Sequence, residues 1–230
     1  MDPIENEIKL NAQELNTGWT RSQKFYMRII KPVLDILFAT IGLVILSPLF
    51  LLISIAIKID SRGPVFFKQE RVGKDCKVFN IIKFRSMEVS DGKNIDTSKD
   101  MMRMTRVGKF IRKLSIDEFP QLFNIVNGKM SFVGPRPLLV DYLSRYTKEQ
   151  IKRHCIMPGM SGWAQVNGRN TLDWSERFNF DIQYTDSISF IFDLKIFFLT
   201  LVYVINNKGI NNSANNTMSI FTGSNNKIES

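Results

Sequence analysis

Val33-Leu-Asp-Ile-Leu-Phe-Ala-Thr-Ile-Gly-Leu-Val-Ile-Leu-Ser-Pro-Leu-Phe-Leu-Leu-Ile-Ser-Ile-Ala-Ile57 is a run of 25 residues with a single charge, Asp35. As a helix it is long enough to cross the roughly 30 Å apolar layer of a bilayer. Two features oppose a plain crossing. Arg21, Lys24, Arg28 and Lys31 precede the run, and Lys58, Arg62, Lys68 and Arg71 follow it. Positive charge marks the cytoplasmic side, so both flanks ask for the same side. Ser47-Pro48 falls in the middle, where proline has no N–H to donate and kinks or breaks a helix. The arm from Val33 to Leu46 holds 14 residues, about 21 Å of helix, too short to span alone. A re-entrant helix that enters, turns at Ser47 and Pro48 and returns satisfies length, charge and proline together. A kinked single span and a buried helix of a soluble domain are the alternatives.

Outward from this run, the 230 residues allow one domain with a true core. The net charge of +9 calls for anionic partners: nucleic acid, acidic lipid headgroups or phosphorylated small molecules. Cys76 and Cys155 make no disulfide framework, which fits a reducing compartment. A lone histidine, His154, excludes a multi-His metal site and most histidine-based catalysis. The first 20 residues are polar, so no cleavable signal peptide is expected. Residues 1–24 read as a polar arm, 25–58 as the membrane helix-break-helix and 59–205 as the globular part. Residues 206–230 hold eight asparagines without pattern and read as a disordered tail.

The chemistry concentrates in Lys113-Leu-Ser-Ile-Asp-Glu-Phe-Pro-Gln-Leu-Phe-Asn-Ile-Val-Asn-Gly128, followed by Ser131-Phe-Val-Gly-Pro-Arg-Pro137. Asp117 and Glu118 are adjacent carboxylates beside a basic region: from Lys83 to Lys113, nine Lys or Arg stand against four Asp or Glu. Two acids among many bases can hold a divalent cation while the bases hold phosphates, which suits phosphoryl transfer. The plainer reading is a helix N-terminus with Ser115 as N-cap and both acids facing the dipole. Two prolines hold Arg136 on a rigid stretch, useful if its guanidinium meets phosphate. In Gly168-Arg169-Asn170 a fork-shaped guanidinium follows a glycine, another phosphate-type arrangement.

The remaining elements follow from pattern. Val65-Phe-Phe67 and Val78-Phe-Asn-Ile-Ile82 read as strands, with a turn at Gln69-Glu-Arg-Val-Gly73. Residues 88–100 read as a surface loop. Helices are expected over Arg106–Lys113, Asp117–Val126, Leu138–Cys155 and Trp174–Tyr184. Ile188–Ile205, apolar except for Asp193 and Lys195, reads as an interfacial helix lying in a membrane surface. The fold class is α+β, mostly helical, with a few short strands. Internal repeats, zinc spacings, a Walker loop and G-x-G-x-x-G are absent from the sequence.

Seven ordered blocks resemble the bacterial sugar transferases known as monotopic phosphoglycosyl transferases, over about residues 25–205. They are Lys31-Pro-Val-Leu-Asp35, Leu46-Ser-Pro48, the Gly63–Gly73 block, Lys83-Phe-Arg-Ser-Met87, the Leu114–Asn124 block, Met130-Ser-Phe-Val-Gly-Pro-Arg-Pro137 and the Pro158–Asn170 block. The resemblance implies an enzyme of a bacterial inner membrane, its catalytic domain on the cytoplasmic face. Such an enzyme moves a sugar-1-phosphate from a UDP-sugar to undecaprenyl phosphate and releases UMP, ahead of downstream glycosyltransferases. It implies Asp117 as a nucleophile forming a covalent phospho-sugar intermediate, and Mg²⁺ held by Asp117 and Glu118. It also implies Arg112, Arg136 and Arg169 as phosphate ligands, with Lys83 and Arg85 near the substrate. Ser47 and Pro48 match the break that makes the family's helix re-entrant. The stretch from Pro137 to Leu143, with Arg153-His154, resembles the small members that handle diacetylated bacillosamine. Glucose, galactose or an acetamido sugar are the other donors of the same chemistry. A basic membrane-anchored binding module is the non-enzymatic alternative; nucleic acid is not expected, because aromatic residues are not interleaved with the basic ones.

Overall fold

A computed structural model describes residues 18–88, 103–168, 171–205 and 220–223. Most of the expected arm and tail, the loop after residue 88 and Arg169 lie outside the described residues. The chain opens with one 40-residue helix, α1 (Arg21–Asp60), long and apolar enough to cross a membrane. It includes a π-helical segment at Tyr26–Ile30. From Lys31 to Asp60 it is a single α-helix with Pro48 inside. The expected break at Ser47-Pro48 is therefore not an interruption of the helix. Proline leaves the carbonyl four residues back, on Val44, without its usual donor. The Ser47 hydroxyl donates to that carbonyl at 2.8 Å, which lets the helix continue. Thr40 and Ser54 likewise donate to the carbonyls of Ile36 and Phe50, so the polar side chains of an apolar helix are satisfied within it.

One stripe of α1 packs on the rest of the protein: Ala39, Leu43, Leu46, Phe50, Ile53 and Ile57. Their alternating spacing of four and three keeps them on one face, as in a coiled-coil seam. The other faces stay apolar and open, with Val44, Ile45, Leu51 and Leu52 more than 60% exposed. A long helix that lies along its domain while showing lipid-like side chains outward needs another apolar phase.

Strand β1 (Phe66–Val72) pairs antiparallel with β2 (Val78–Phe84), Phe66 opposite Phe84 and Val72 opposite Val78. The stretch Gln69-Glu-Arg-Val72, expected as a turn, is strand; the chain reverses after Gly73, where Asp75 and Cys76 take positive φ. Helix α2 (Arg106–Lys113) is tied to the end of α1, whose Asp60 carboxylate accepts the Val107 amide at 2.9 Å. The expected helix over 117–126 divides into a 3₁₀ turn (Ile116–Glu118) and helix α3 (Gln121–Val126), separated by Pro120. From α3, Asn124 accepts the Ile82 amide and donates to the Asn80 carbonyl, covering the free edge of β2.

Strand β3 (Ser131–Val133) pairs in parallel with β4 (Gly159–Ser161), and neither strand is among those expected from the sequence. The single helix expected over 138–155 is instead a series of short turns at Val140–Arg145, Lys148–Ile151 and Lys152–His154. Extended backbone at Tyr146 and a capping box at Thr147 restart the chain between them. Helices α4 (Trp163–Val166), α5 (Trp174–Asp186) and α6 (Phe190–Ile205) complete the described order.

The two aspartates inside the apolar helices are internal locks. Asp193 of α6 accepts from Tyr26 at 2.6 Å and Tyr184 at 2.5 Å, and pairs with Lys31. Asp35 accepts the Phe132 amide of β3. These contacts tie α1, α5, α6 and the parallel strand pair together. Within the expected tail, Phe221 is packed, only 2% exposed, while its neighbour Ile220 stays 63% exposed.

Candidate active site

The site forms where the β2 end, the 3₁₀ turn and the Pro-Arg-Pro stretch meet. Leaving α2, the chain turns sharply at Ser115, whose φ of 56° is left-handed. A non-glycine residue held there carries strain, which concentrates at functional positions. Its side chain makes no cap hydrogen bond, so Ser115 is not the expected N-cap. The turn delivers Asp117 and Glu118 together.

Glu118 is clamped by two cations. Lys83, projecting from β2, reaches its Oε1 at 2.7 Å, and Arg136 bonds the same oxygen at 2.5 Å and Oε2 at 3.4 Å. Burial would raise the Glu118 carboxyl, but Arg136 and Lys83 outweigh it and hold it well below the ordinary carboxylate range. Asp117 is 8% exposed, and no described residue hydrogen-bonds its carboxylate. Burial lifts its carboxyl above the ordinary value and the Glu118 charge adds to the lift, while Lys83, Arg112 and Arg136 oppose it. The result is a carboxylate with free lone pairs facing a cationic wall, next to one whose charge is already spent.

Arg136 is held by its backbone. Gly134 N donates to Ser161 O, Gly159 N donates to Pro135 O, and the Arg136 carbonyl accepts from Arg153 Nη2 at 2.7 Å. Arg153 is buried and donates two hydrogen bonds, from Nε and Nη2, to Asp181 Oδ2. A Cβ on Gly134 would fall 2.3 Å from the Met157 carbonyl, so only glycine permits this approach of loop to strand. The Arg136 side chain stays 37% exposed and reachable.

Beside Glu118 and Arg136 a cleft of about 360 Å³ runs between β3, β4, α4, α5 and α6. Its walls include Ser115, Met160, Gln165, Arg177, Asp181 and Thr200. Polar groups face apolar ones across it, with Ser161 and Thr200 hydroxyls joined at 2.6 Å.

Lys83, Asp117, Glu118 and Arg136 come together as the motifs suggest, and Arg112 lies near enough for its charge to act on Asp117. Arg85 does something else: it is buried and donates to the carbonyls of Ser61 and Arg62, closing the C-terminus of α1. Arg169 lies outside the described residues. Ser47 and Pro48 serve the continuity of α1. Arg177 and Asp181, absent from the sequence reading of the site, stand four apart on the same side of α5 as the buried Phe178. A charged i,i+4 pair on a helix's apolar side was the available signal. His154 is no acid or base here: burial, with Arg153 adding, pushes its imidazole down to about 3. Among the described residues no group of three or more His, Cys, Asp or Glu could hold a metal by itself. Asp117 can offer one carboxylate, whereas Glu118 would have to release Lys83 or Arg136 to join it.

The sequence model of the family described as bacterial sugar transferase matches residues 26–207. The chain belongs to the bacterial sugar transferase family. The transferase is 45% identical to an uncharacterized sugar transferase, EpsL, of Bacillus subtilis, covering 85% of this chain and 97% of that one. It is 41% identical to the UDP-glucose:undecaprenyl-phosphate glucose-1-phosphate transferase of Escherichia coli, over 76% of this chain and 40% of the other. It is 42% identical to the UDP-N-acetylgalactosamine-undecaprenyl-phosphate N-acetylgalactosaminephosphotransferase of Aeromonas hydrophila, over 78% and 44%. The transferase thus spans nearly all of EpsL but about two fifths of these named relatives.

Proposed function

We propose that this transferase moves a sugar-1-phosphate from a UDP-sugar to undecaprenyl phosphate. The observation that carries the reading is the unbonded, buried Asp117 beside the Lys83–Glu118–Arg136 clamp. An Asp117 oxygen attacks the sugar-linked phosphorus, and the bond to the UMP oxygen breaks with its electron pair. UMP leaves, and the aspartate carries the phospho-sugar. An oxygen of undecaprenyl phosphate then attacks the same phosphorus, releasing the Asp117 carboxylate and forming the diphosphate-linked sugar. Arg136, Arg112 and Arg169 neutralise the diphosphate, and the clamped Glu118 fixes Lys83 and Arg136 in place. Asp117 would help to hold Mg²⁺, which when bound would reduce the repulsion between carboxylate and diphosphate.

The open faces of α1 and α6, with Ile191 at 78% and Phe198 at 57% exposure, support insertion in one leaflet of a bacterial inner membrane, the site facing the cytoplasm. Basic residues at both ends of α1 favour keeping both ends on one face, which suits an unbroken helix lying in the leaflet better than one crossing it. Among donors, glucose and N-acetylgalactosamine have support from the named relatives. Arg153 and His154, two of the residues behind the likeness to bacillosamine transferases, are buried scaffold, and the diacetylated sugar stays among the donors to be tested. The product is a substrate for glycosyltransferases that extend lipid-linked sugars.

The test is UMP release by purified protein with Mg²⁺ and undecaprenyl phosphate. The donors are UDP-glucose, UDP-galactose, UDP-N-acetylgalactosamine and UDP-diacetylbacillosamine. UMP from one donor, lost in Asp117→Asn, is expected. Equal UMP from the variant would overturn the nucleophile assignment.

A further inference from the structure

Phe221 lies beyond the segment that the family model matches, which ends at residue 207, yet it is among the most buried side chains of the protein. It fills a box of four aromatic rings. Its centroid lies 5.1 Å from Phe178, 5.2 Å from Trp174, 5.6 Å from Tyr142 and 5.9 Å from Tyr146. Its backbone is also engaged: the amide donates to the Tyr142 hydroxyl at 3.3 Å, and its carbonyl accepts from Arg145 Nη1. Edge-on and stacked rings with both peptide groups bonded form a specific seat.

The same rings carry the cations behind the cleft. Arg153, which holds the Arg136 carbonyl, lies 5.7 Å over Phe178 and 6.0 Å over Tyr146. Arg177, which lines the cleft, lies 5.2 Å over Trp174. Three of the rings that grip Phe221 thus set the positions of two arginines that face or support the phosphate-binding side.

We propose that the aromatic box is a docking site for the chain's own C-terminal segment, and that Phe221 is a positioning residue for Arg177 and for the Arg153-supported Arg136. With Phe221 seated, the four rings are fixed and both guanidinium groups are stacked in place. With Phe221 absent, Trp174 and Tyr146 gain rotamer freedom, and Arg177 and the Arg136 loop follow. Substrate binding weakens before chemistry does.

The test uses the full chain and Phe221→Ala, with Phe221→Leu as the volume-conserving variant should the alanine form misfold. Three readouts apply: hydrogen exchange over residues 217–226, Trp174 fluorescence (with Trp19→Phe and Trp163→Phe in every form), and donor KM against kcat. Expected is slow exchange at Phe221 in the wild type and fast exchange in Phe221→Ala. A synthetic peptide of residues 217–226 added to Phe221→Ala restores the Trp174 signal, and the same peptide with alanine for phenylalanine does not. Donor KM rises about tenfold with kcat little changed, and the peptide lowers it again. Fast exchange at Phe221 in the wild type, or no peptide effect on Trp174, would overturn the docking. Slow exchange with an unchanged KM would overturn the positioning role. Only the kinetic arm rests on the transferase reading; exchange and fluorescence judge the docking even if every donor is refused.

Discussion

Replacing Arg153 with methionine should damage this protein in two separable ways. The Arg153 and Asp181 side chains are 1% and 2% exposed, with contacts at 2.8 and 3.0 Å. Removing the guanidinium leaves Asp181 buried without its hydrogen-bonded partner, a change that costs about 3–5 kcal/mol. Burial already raises the Asp181 carboxyl, and Arg177 still opposes that rise, which places the loss toward the lower end, about 3–4 kcal/mol. For a chain of this size the midpoint of thermal unfolding should fall by about 6–16 °C. The Arg136 carbonyl also loses its donor, so the loop relaxes and donor KM rises. Adding Asp181→Leu removes the stranded charge and should recover stability to within about 1 kcal/mol of wild type. It should leave KM high, because nothing restores the donor to Arg136. Thermal melts in detergent beside donor titrations check both. A single variant as stable as wild type, or a double variant no better than the single, would refute the reasoning.

Three further outcomes are expected. Ser47→Ala should destabilise the chain by about 1 kcal/mol, but by almost nothing in a Pro48→Ala background, where residue 48 can donate to Val44 itself; equal costs in detergent unfolding would show that the serine does not replace the missing donor. His154 lowered to about 3 favours the folded state fully above its unfolded value near 6.5, and that contribution fades as pH falls toward 3. At pH 5 the wild type should have lost about 2 kcal/mol relative to His154→Gln, and parallel stability curves for the two proteins would contradict it. Gly108→Ala should destabilise although alanine favours helix by about 1 kcal/mol, because its Cβ would meet the Ser86 carbonyl oxygen at 2.0 Å; a raised melting temperature would show that α2 moves freely.

Much of this was legible in the sequence, and the exceptions share a cause. The apolar run, the amphipathic α2 and α5 and the Asp117-Glu118 pair rest on local periodicity or adjacent chemistry, which a sequence displays directly. Lys83 and Arg136 could be suspected from their basic setting, and the fold brings both to Glu118. Arg85 shared that setting, yet it closes a helix, since only the fold decides which cation meets which carbonyl. The β3–β4 pair escaped because each strand has three residues and their pairing is non-local. The run from 138 to 155 looked helical by spacing, although Thr147-Lys-Glu-Gln150 is a readable capping box that marks a restart. Asp193 reads in the sequence as a polar interruption of an apolar helix, whereas Lys31 pairs with it and the Tyr26 and Tyr184 hydroxyls donate to it inside the fold. Phe221 sits in an asparagine-rich tail whose composition hides one aromatic residue with a seat waiting for it.

In the proposed reaction Asp117 becomes covalently attached to a phospho-sugar before any lipid is present. Intact-mass measurement of the full chain after incubation with donor and Mg²⁺ alone tests it most directly, followed by peptide mapping. A sugar-phosphate adduct on Asp117 is expected, absent in Asp117→Asn and discharged when undecaprenyl phosphate is added. Turnover with the complete substrate set, but no adduct from a donor shown to be used, would contradict it and indicate direct transfer from nucleotide to lipid.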